Sequence, residues 1–203
     1  MDTLNLAGVD VGSPRRPGST LHSATRIDLV AGGADIWGQR DEFHFACTQV
    51  RGNWELSLCL ESLSMADVYT KAGLMFRTSL ADDAEHAMLL VFGDNQPRNH
   101  NNGGVEFQSR MVPQGQCTGI YPPQPLPPQP DFPVNFPQVW LKLQRHGNTF
   151  IGSFSQDGAT WKTYCSHHQP LPATGYLGLA VTSHNVERTV RASFSHLRFQ
   201  GMA

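Results

Sequence analysis

Trp54-Glu55-Leu56-Ser57-Leu58-Cys59-Leu60-Glu61 alternates apolar with polar or small residues without a break. Successive side chains of a strand point to opposite faces, so Trp54, Leu56, Leu58 and Leu60 share one face and Glu55, Ser57, Cys59 and Glu61 the other. That alternation fixes the register of a half-buried strand. Working outward, short apolar runs alternate with Gly, Pro, Asn and Asp clusters, and no stretch keeps a helical period of 3.6 for three turns. The pattern predicts strands over 26–30, 42–49, 54–63, 69–77, 86–92, 105–111, 139–145, 149–155, 161–166, 175–183 and 189–199, an all-β chain. Arg51-Gly52-Asn53 and Gln156-Asp157-Gly158 read as hairpin turns, because glycine tolerates positive φ. In the last strand Ala192 and Phe194 are in one phase and Leu197 and Phe199 in the other, which predicts a bulge near Ser195 or His196.

The 203 residues suit one domain, 1–203, long enough to bury a core. Lys and Arg total 15 against 17 for Asp and Glu, with no basic stripe, so neither nucleic acid nor an anionic membrane is an expected partner. The opening Met1-Asp2-Thr3-Leu4-Asn5-Leu6 has no basic or apolar leader pattern, which gives a cytoplasmic expectation. Cys47, Cys59, Cys117 and Cys165 lie far apart without a C-x-x-C pair and are expected as reduced thiols. Two loops stand out: the polar, glycine-rich 94–104, and 112–138, which holds nine of the fourteen prolines. The second favours polyproline II and is read as a covering loop, or as a P-x-x-P segment that docks on a partner.

Four segments carry a family resemblance: Gly33-Ala34-Asp35-Ile36-Trp37-Gly38 with Asp41 and Phe43; Lys71-Ala72-Gly73-Leu74-Met75-Phe76-Arg77; Arg145-His146-Gly147-Asn148-Thr149-Phe150 running to Ser155-Gln156-Asp157-Gly158-Ala159-Thr160-Trp161; and Gly175-Tyr176-Leu177-Gly178-Leu179-Ala180-Val181-Thr182-Ser183-His184. In this order they resemble the concanavalin-A-like family of uncharacterised domains that includes the fungal regulation-of-enolase proteins. A looser likeness is to the C-terminal accessory sandwich of β-xylosidases. The resemblance implies a jelly-roll sandwich of two antiparallel sheets, one convex and one concave.

Chemistry-bearing patterns are sparse. A glycosidase needs two carboxylates facing one another across the scissile bond, and concanavalin-A-like glucanases place theirs in a run like E-x-D-x-x-E. No such run occurs here; Glu55 and Glu61 share a face but lie ~20 Å apart along a strand. Ser155 to Trp161 is like an Asp-box hairpin but occurs once, so Asp157 and Gly158 are turn residues and Trp161 a core or rim aromatic. The nine histidines show no transition-metal spacing, and no cofactor is expected. For calcium, Asp35, Asp41 and the 94–102 loop are the candidates; otherwise Asp35 caps a turn over Trp37.

The more informative pattern is a polar face on otherwise apolar strands. Lys71, Gly73, Met75 and Arg77 oppose Ala72, Leu74 and Phe76; Glu106, Gln108 and Arg110 oppose Val105, Phe107, Ser109 and Met111. If these faces adjoin they form a groove floor, where Arg77, Glu106, Gln108, Arg110 and nearby Trp37 bind sugar hydroxyls or an extended peptide. The same residues also fit cross-strand ion pairs on a solvated face. The expected function is therefore a non-catalytic module that binds a saccharide through the concave sheet. A protein-interaction or regulatory subunit is the alternative, and a glycoside hydrolase a lower one. Oligomeric state is left open.

Overall fold

The computed structural model describes residues 4–93, 104–120, 136 and 139–202. They form strands β1 (Ala7–Val11), β2 (Ser19–His22), β3 (Arg26–Ala31), β4 (Ile36–Trp37), β5 (Arg40–Asp41), β6 (Phe43–Arg51), β7 (Asn53–Leu63), β8 (Lys71–Arg77), β9 (His86–Phe92), β10 (Val105–Arg110), β11 (Thr118–Ile120), β12 (Val139–His146), β13 (Thr149–Ser155), β14 (Lys162–His168), β15 (Thr174–Thr182) and β16 (Val190–Met202). Two seven-stranded antiparallel sheets pack face to face, in the orders β1-β6-β15-β8-β9-β10-β11 and β14-β13-β12-β7-β16-β3-β2; β4 and β5 make a small separate hairpin. This is the concanavalin-A-like sandwich that the motifs imply.

The alternation in β7 decides the layering. Trp54, Leu56, Leu58 and Leu60 are buried in the inter-sheet core with Leu74, Phe76, Leu89, Phe107, Leu141, Leu143, Phe150, Leu177, Leu179 and Phe194. Each large side chain contributes ~1.5–3 kcal/mol on burial, so a one-residue slip that turned four of them outward would cost about as much as a domain's whole net stability. Register is therefore not negotiable. The expected bulge is present in β16, where pairing with β7 shifts between Ser195 and Arg198 and His196 adopts a φ of 53°.

One turn differs from expectation. β6 and β7 flank Gly52 but do not pair; β6 lies between β1 and β15, and β7 between β12 and β16. The Arg51-Gly52-Asn53 turn thus carries the chain from one sheet to the other, so that Ala46 of β6 and Trp54, Leu56, Leu58 and Leu60 of β7 enter the shared core from opposite layers. The β13–β14 turn is a hairpin, with Asp157 accepting from the backbone N–H groups of Ala159 and Thr160 at 2.8 and 2.7 Å. These bonds hold the Asp157 carboxyl well below the usual carboxylate range.

The other face of the first sheet is not simply polar. It carries a second apolar cluster, Val11, Ile36, Phe43, Phe45, Met75, Met88, Leu90, Phe92 and Ala180. Residues 33–42 fold over part of it. Glycine makes the close approach possible: Gly33 has a φ of 117° and a Cβ there would lie 1.9 Å from the Glu42 carbonyl oxygen, while one on Gly12 would lie 1.9 Å from that of Asp41.

Candidate functional site

On that outer face, β8, β9 and β10 run side by side and their registers set side chains in rows. Arg77 lies opposite His86, which lies opposite Arg110; Met75, Met88 and Gln108 form the next row; Gly73, Leu90 and Glu106 the next; and Lys71 faces Phe92. The two polar faces read from sequence therefore do adjoin. They behave differently at their two ends.

At one end, the 36–41 hairpin closes over the sheet. Arg110 grips the Asp41 carboxylate with two nitrogens, each 2.7 Å from an oxygen, and Arg77 Nη1 reaches the same group at 3.3 Å. The remaining guanidinium donors go to carbonyls: Arg77 to Ser79 and Ala81, Arg110 to Trp37, Gly38, Ala84 and Gly115. Arg77, Arg110, Asp41 and His86 are all 0% exposed. Burial, reinforced by the two guanidinium charges, pushes the His86 pKa down to about 3, so the ring is neutral near pH 7. Cys117 Sγ lies 3.5 Å from its Nε2, and burial pushes that thiol up to about 12.

This placement corrects three expectations. Arg77 and Arg110 do not line a groove; their donors are consumed inside the protein, because Asp41 brings a counter-charge from a distant stretch of sequence. Nor do they pair with Glu106 across the strands. Asp41 is no calcium ligand either, since both its oxygens accept from guanidinium groups, and the second calcium candidate, Asp35, holds Lys71 Nζ at 2.7 Å and His184 Nε2 at 3.2 Å. The 94–102 loop lies outside the described residues, as does 112–138 from residue 121 onward apart from Phe136.

At the other end the face opens into a cleft of about 350 Å³ lined by Asp35, Trp37, Tyr69, Lys71, Phe92, Glu106, Gln108 and His184. That volume falls in the range of small-ligand sites, ~300–1,000 Å³. Trp37, on the hairpin, is 41% exposed and is the cleft's aromatic wall, with Lys71 Nζ 5.9 Å from its ring centre and 5.7 Å from that of Phe92. His184 sits beyond the end of β15 with a φ of 52°, its ring 5.0 Å from Tyr69; its Nδ1 is 3.1 Å from Asp67 Oδ1 but not aligned as a hydrogen bond. Gln108, 1% exposed, donates from Nε2 to Glu106 Oε1 at 2.7 Å. Its Oε1 is buried and accepts from nothing among the described residues. Of the five residues singled out in the sequence, Trp37, Glu106 and Gln108 share this cleft. Tyr69, Lys71, Phe92 and His184 were not singled out; no spacing joins four positions that meet only through strand pairing and loop return.

A larger cleft, about 560 Å³, lies against the second sheet at the β16 bulge, lined by His22, Arg26, Glu61, Ser195 and His196 among others. Its polar groups satisfy one another. Arg26 bridges Glu61, Ser195 Oγ lies 2.8 Å from His196 Nδ1, and the Ser195 hydroxyl together with Arg26 holds the Glu61 carboxyl below its usual range.

Comparison with known proteins supports the fold and stops there. No protein-family model matches the chain, and no curated protein matches its sequence. Among solved structures, a functionally unknown protein from Saccharomyces cerevisiae superposes with a TM-score of 0.70 at 16% identity, covering 98% of this chain and 97% of that one. The carbohydrate-binding module CBM66 from Bacillus subtilis gives 0.59 at 14%, covering 96% and 95%. The exoplasmic/lumenal domain of VIP36, in its Ca²⁺- and Man3GlcNAc-bound form, gives 0.56 at 13%, covering 92% and 83%. At such identities the likeness is one of fold.

Proposed function

We propose that the open end of this sheet face, the concave face by the resemblance, binds a saccharide and catalyses no reaction on it. The observation that carries the reading is the Gln108 side chain: buried in the cleft wall, oriented by Glu106, with an acceptor oxygen that has no partner among the described residues. A buried polar atom without a partner costs about 1–3 kcal/mol, so a hydroxyl delivered by a ligand, directly or through one bound water, removes a standing penalty. Trp37 supplies an apolar surface for the C–H face of a sugar ring, and Glu106 a second acceptor. Two neighbours of the fold, one named as a carbohydrate-binding module and one solved with Man3GlcNAc, fit this reading.

The non-catalytic part rests on the carboxylates themselves. Asp35 is held by Lys71 and His184 and Glu106 by Gln108, which leaves no pair among the described residues poised as acid and base across the cleft. The protein-interaction alternative rests on the family resemblance; the proline-rich segment whose deletion would test it lies mostly outside the described residues, and no described feature favours it. Glycan-array screening followed by titration calorimetry of the hits tests the proposal. Retention of at least one sugar, weakened about tenfold (~1.4 kcal/mol) by Trp37→Ala and by Gln108→Ala, is the expected result. An empty array, or equal retention by both variants, overturns it.

A further inference from the structure

We infer that the cleft selects neutral or amino sugars and rejects uronic acids and other anionic saccharides. The inference rests on the saccharide reading above and adds to it the charge class of the ligand. Its basis is which charges reach the cleft and which are spent inside the protein.

Among the described residues two cations adjoin the site, and both are engaged. Lys71 is 2% exposed, its ammonium 2.7 Å from Asp35 and 3.3 Å from the Ile36 carbonyl oxygen, enclosed between the Trp37 and Phe92 rings. His184 lies between Asp35 and Asp67. Against them stand three carboxylates, Asp35, Asp67 and Glu106. Only Glu106 lacks a cationic partner among the described residues; it accepts from the neutral Gln108 amide. Among the described residues, with Asp67 behind His184 counted, carboxylates around the cleft outnumber cations by one even when His184 is taken as a cation.

The arginines that would reverse this balance do not contribute donors. The guanidinium nitrogens of Arg77 and Arg110 are turned inward, toward Asp41, backbone carbonyls, the Met75 sulfur and His86 Nδ1. Arg110 is four positions along β10 from Glu106, ~13 Å of strand rise. Coulomb energy falls as the inverse of distance, so at that range a cation counts about a third of a carboxylate at ~4 Å, before solvent screening. Glu106 therefore dominates the field felt by a ligand group placed beside it.

Hydrogen bonding points the same way. Because Glu106 Oε1 accepts from the Gln108 amide nitrogen, the amide oxygen must turn away from the carboxylate; the reverse orientation would set acceptor against acceptor. The polar wall then offers a carboxylate oxygen and an amide oxygen, both acceptors. Hydroxyls and ammonium groups can satisfy them; a ligand carboxylate, sulfate or phosphate cannot.

Matched pairs separate this inference from the saccharide reading. Methyl glucoside, galactoside and mannoside are each titrated against the corresponding methyl uronide, with glucosamine as a cationic probe, by calorimetry or ligand-observed NMR. The expected result is that the best-bound neutral sugar binds at least tenfold tighter than its uronide, that glucosamine is tolerated, and that Glu106→Gln narrows the gap to under about threefold. Thermal melting of Glu106→Gln checks that it is folded; the wild-type comparison stands without it. Uronides bound as tightly as their neutral partners would overturn the charge inference and leave the saccharide reading intact. No binding by any member of any pair, together with an empty glycan array, would remove both.

Discussion

The two ends of the β8–β9–β10 face are built from the same strands and the same alternation, yet one is a strut and the other a cleft. Arg77, His86 and Arg110 occupy one row and Glu106 and Lys71 lie two or three rows away, all turned to the same side. What separates them is the 33–42 segment laid on top. Its Asp41 end inserts a carboxylate between two guanidinium groups and seals that end, while its Trp37 end stands 41% exposed over the other. Strand alternation says which side of a sheet a polar residue takes; a counter-charge from elsewhere decides whether it faces a ligand or the protein's own interior.

The largest effect is expected at the closed end. Asp41→Ala leaves two guanidinium groups buried without a counter-charge, which is expected to cost about 3–5 kcal/mol, whereas Glu106→Gln at the open end should stay within about 1 kcal/mol of wild type. Urea denaturation of both variants checks this; equal losses would mean that the two ends are not distinct. Arg77→Ala belongs with the first group, and any loss of sugar retention in it reads as loss of structure.

Next comes pH. His86 has a folded pKa of about 3, below its ordinary value of 6.5, so the unfolded chain binds the proton first and stability falls as pH drops from about 6.5 toward 3. His86→Asn should flatten the wild-type slope, removing about 2 kcal/mol of the loss between pH 6.5 and pH 5. An unchanged slope would show that His86 is not held neutral by this cluster. A smaller effect is expected from Trp37→Ala: about tenfold in sugar affinity, ~1.4 kcal/mol, with a urea midpoint near wild type because the ring is half exposed. A large fall in stability instead would make Trp37 part of the strut. Smallest is a reaction that should barely proceed. Burial raises Cys117 and Cys165 to about 12 and Cys47 to about 11, so alkylation of the native protein at pH 8 should be far slower than of the urea-unfolded chain. Rapid native labelling of Cys117 would mean that the closed end opens readily.

The sandwich was legible because its long strands announce themselves: β7 lies where alternation puts it, and β9 and β13 where short apolar runs bounded by turn residues put them. The strands without a forecast, β1, β2, β4, β5 and β11, run two to five residues, too short for a period to show. Two of them are joined by side chains rather than by pattern, His44 bridging Asp10 at 2.7 Å and Thr20 at 2.8 Å. In the site, Glu106, Gln108 and Trp37 were visible as polar or aromatic residues on the right side. Arg77 and Arg110 were on that side too, but nothing local showed that Asp41, 36 and 69 residues away, would claim them. Lys71 and His184 became site residues only once Asp35 was placed between them.

On the proposed reading the open end binds sugar and the closed end does not. Amide chemical-shift mapping during titration with the best-retained neutral sugar measures it directly. Saturable shifts are expected at residues 35–37, 69–71, 106–108 and 184, with 77, 86 and 110 unmoved, and they should disappear in Trp37→Ala. Shifts centred on residues 22–27 and 194–197, or none at saturating sugar, would contradict it.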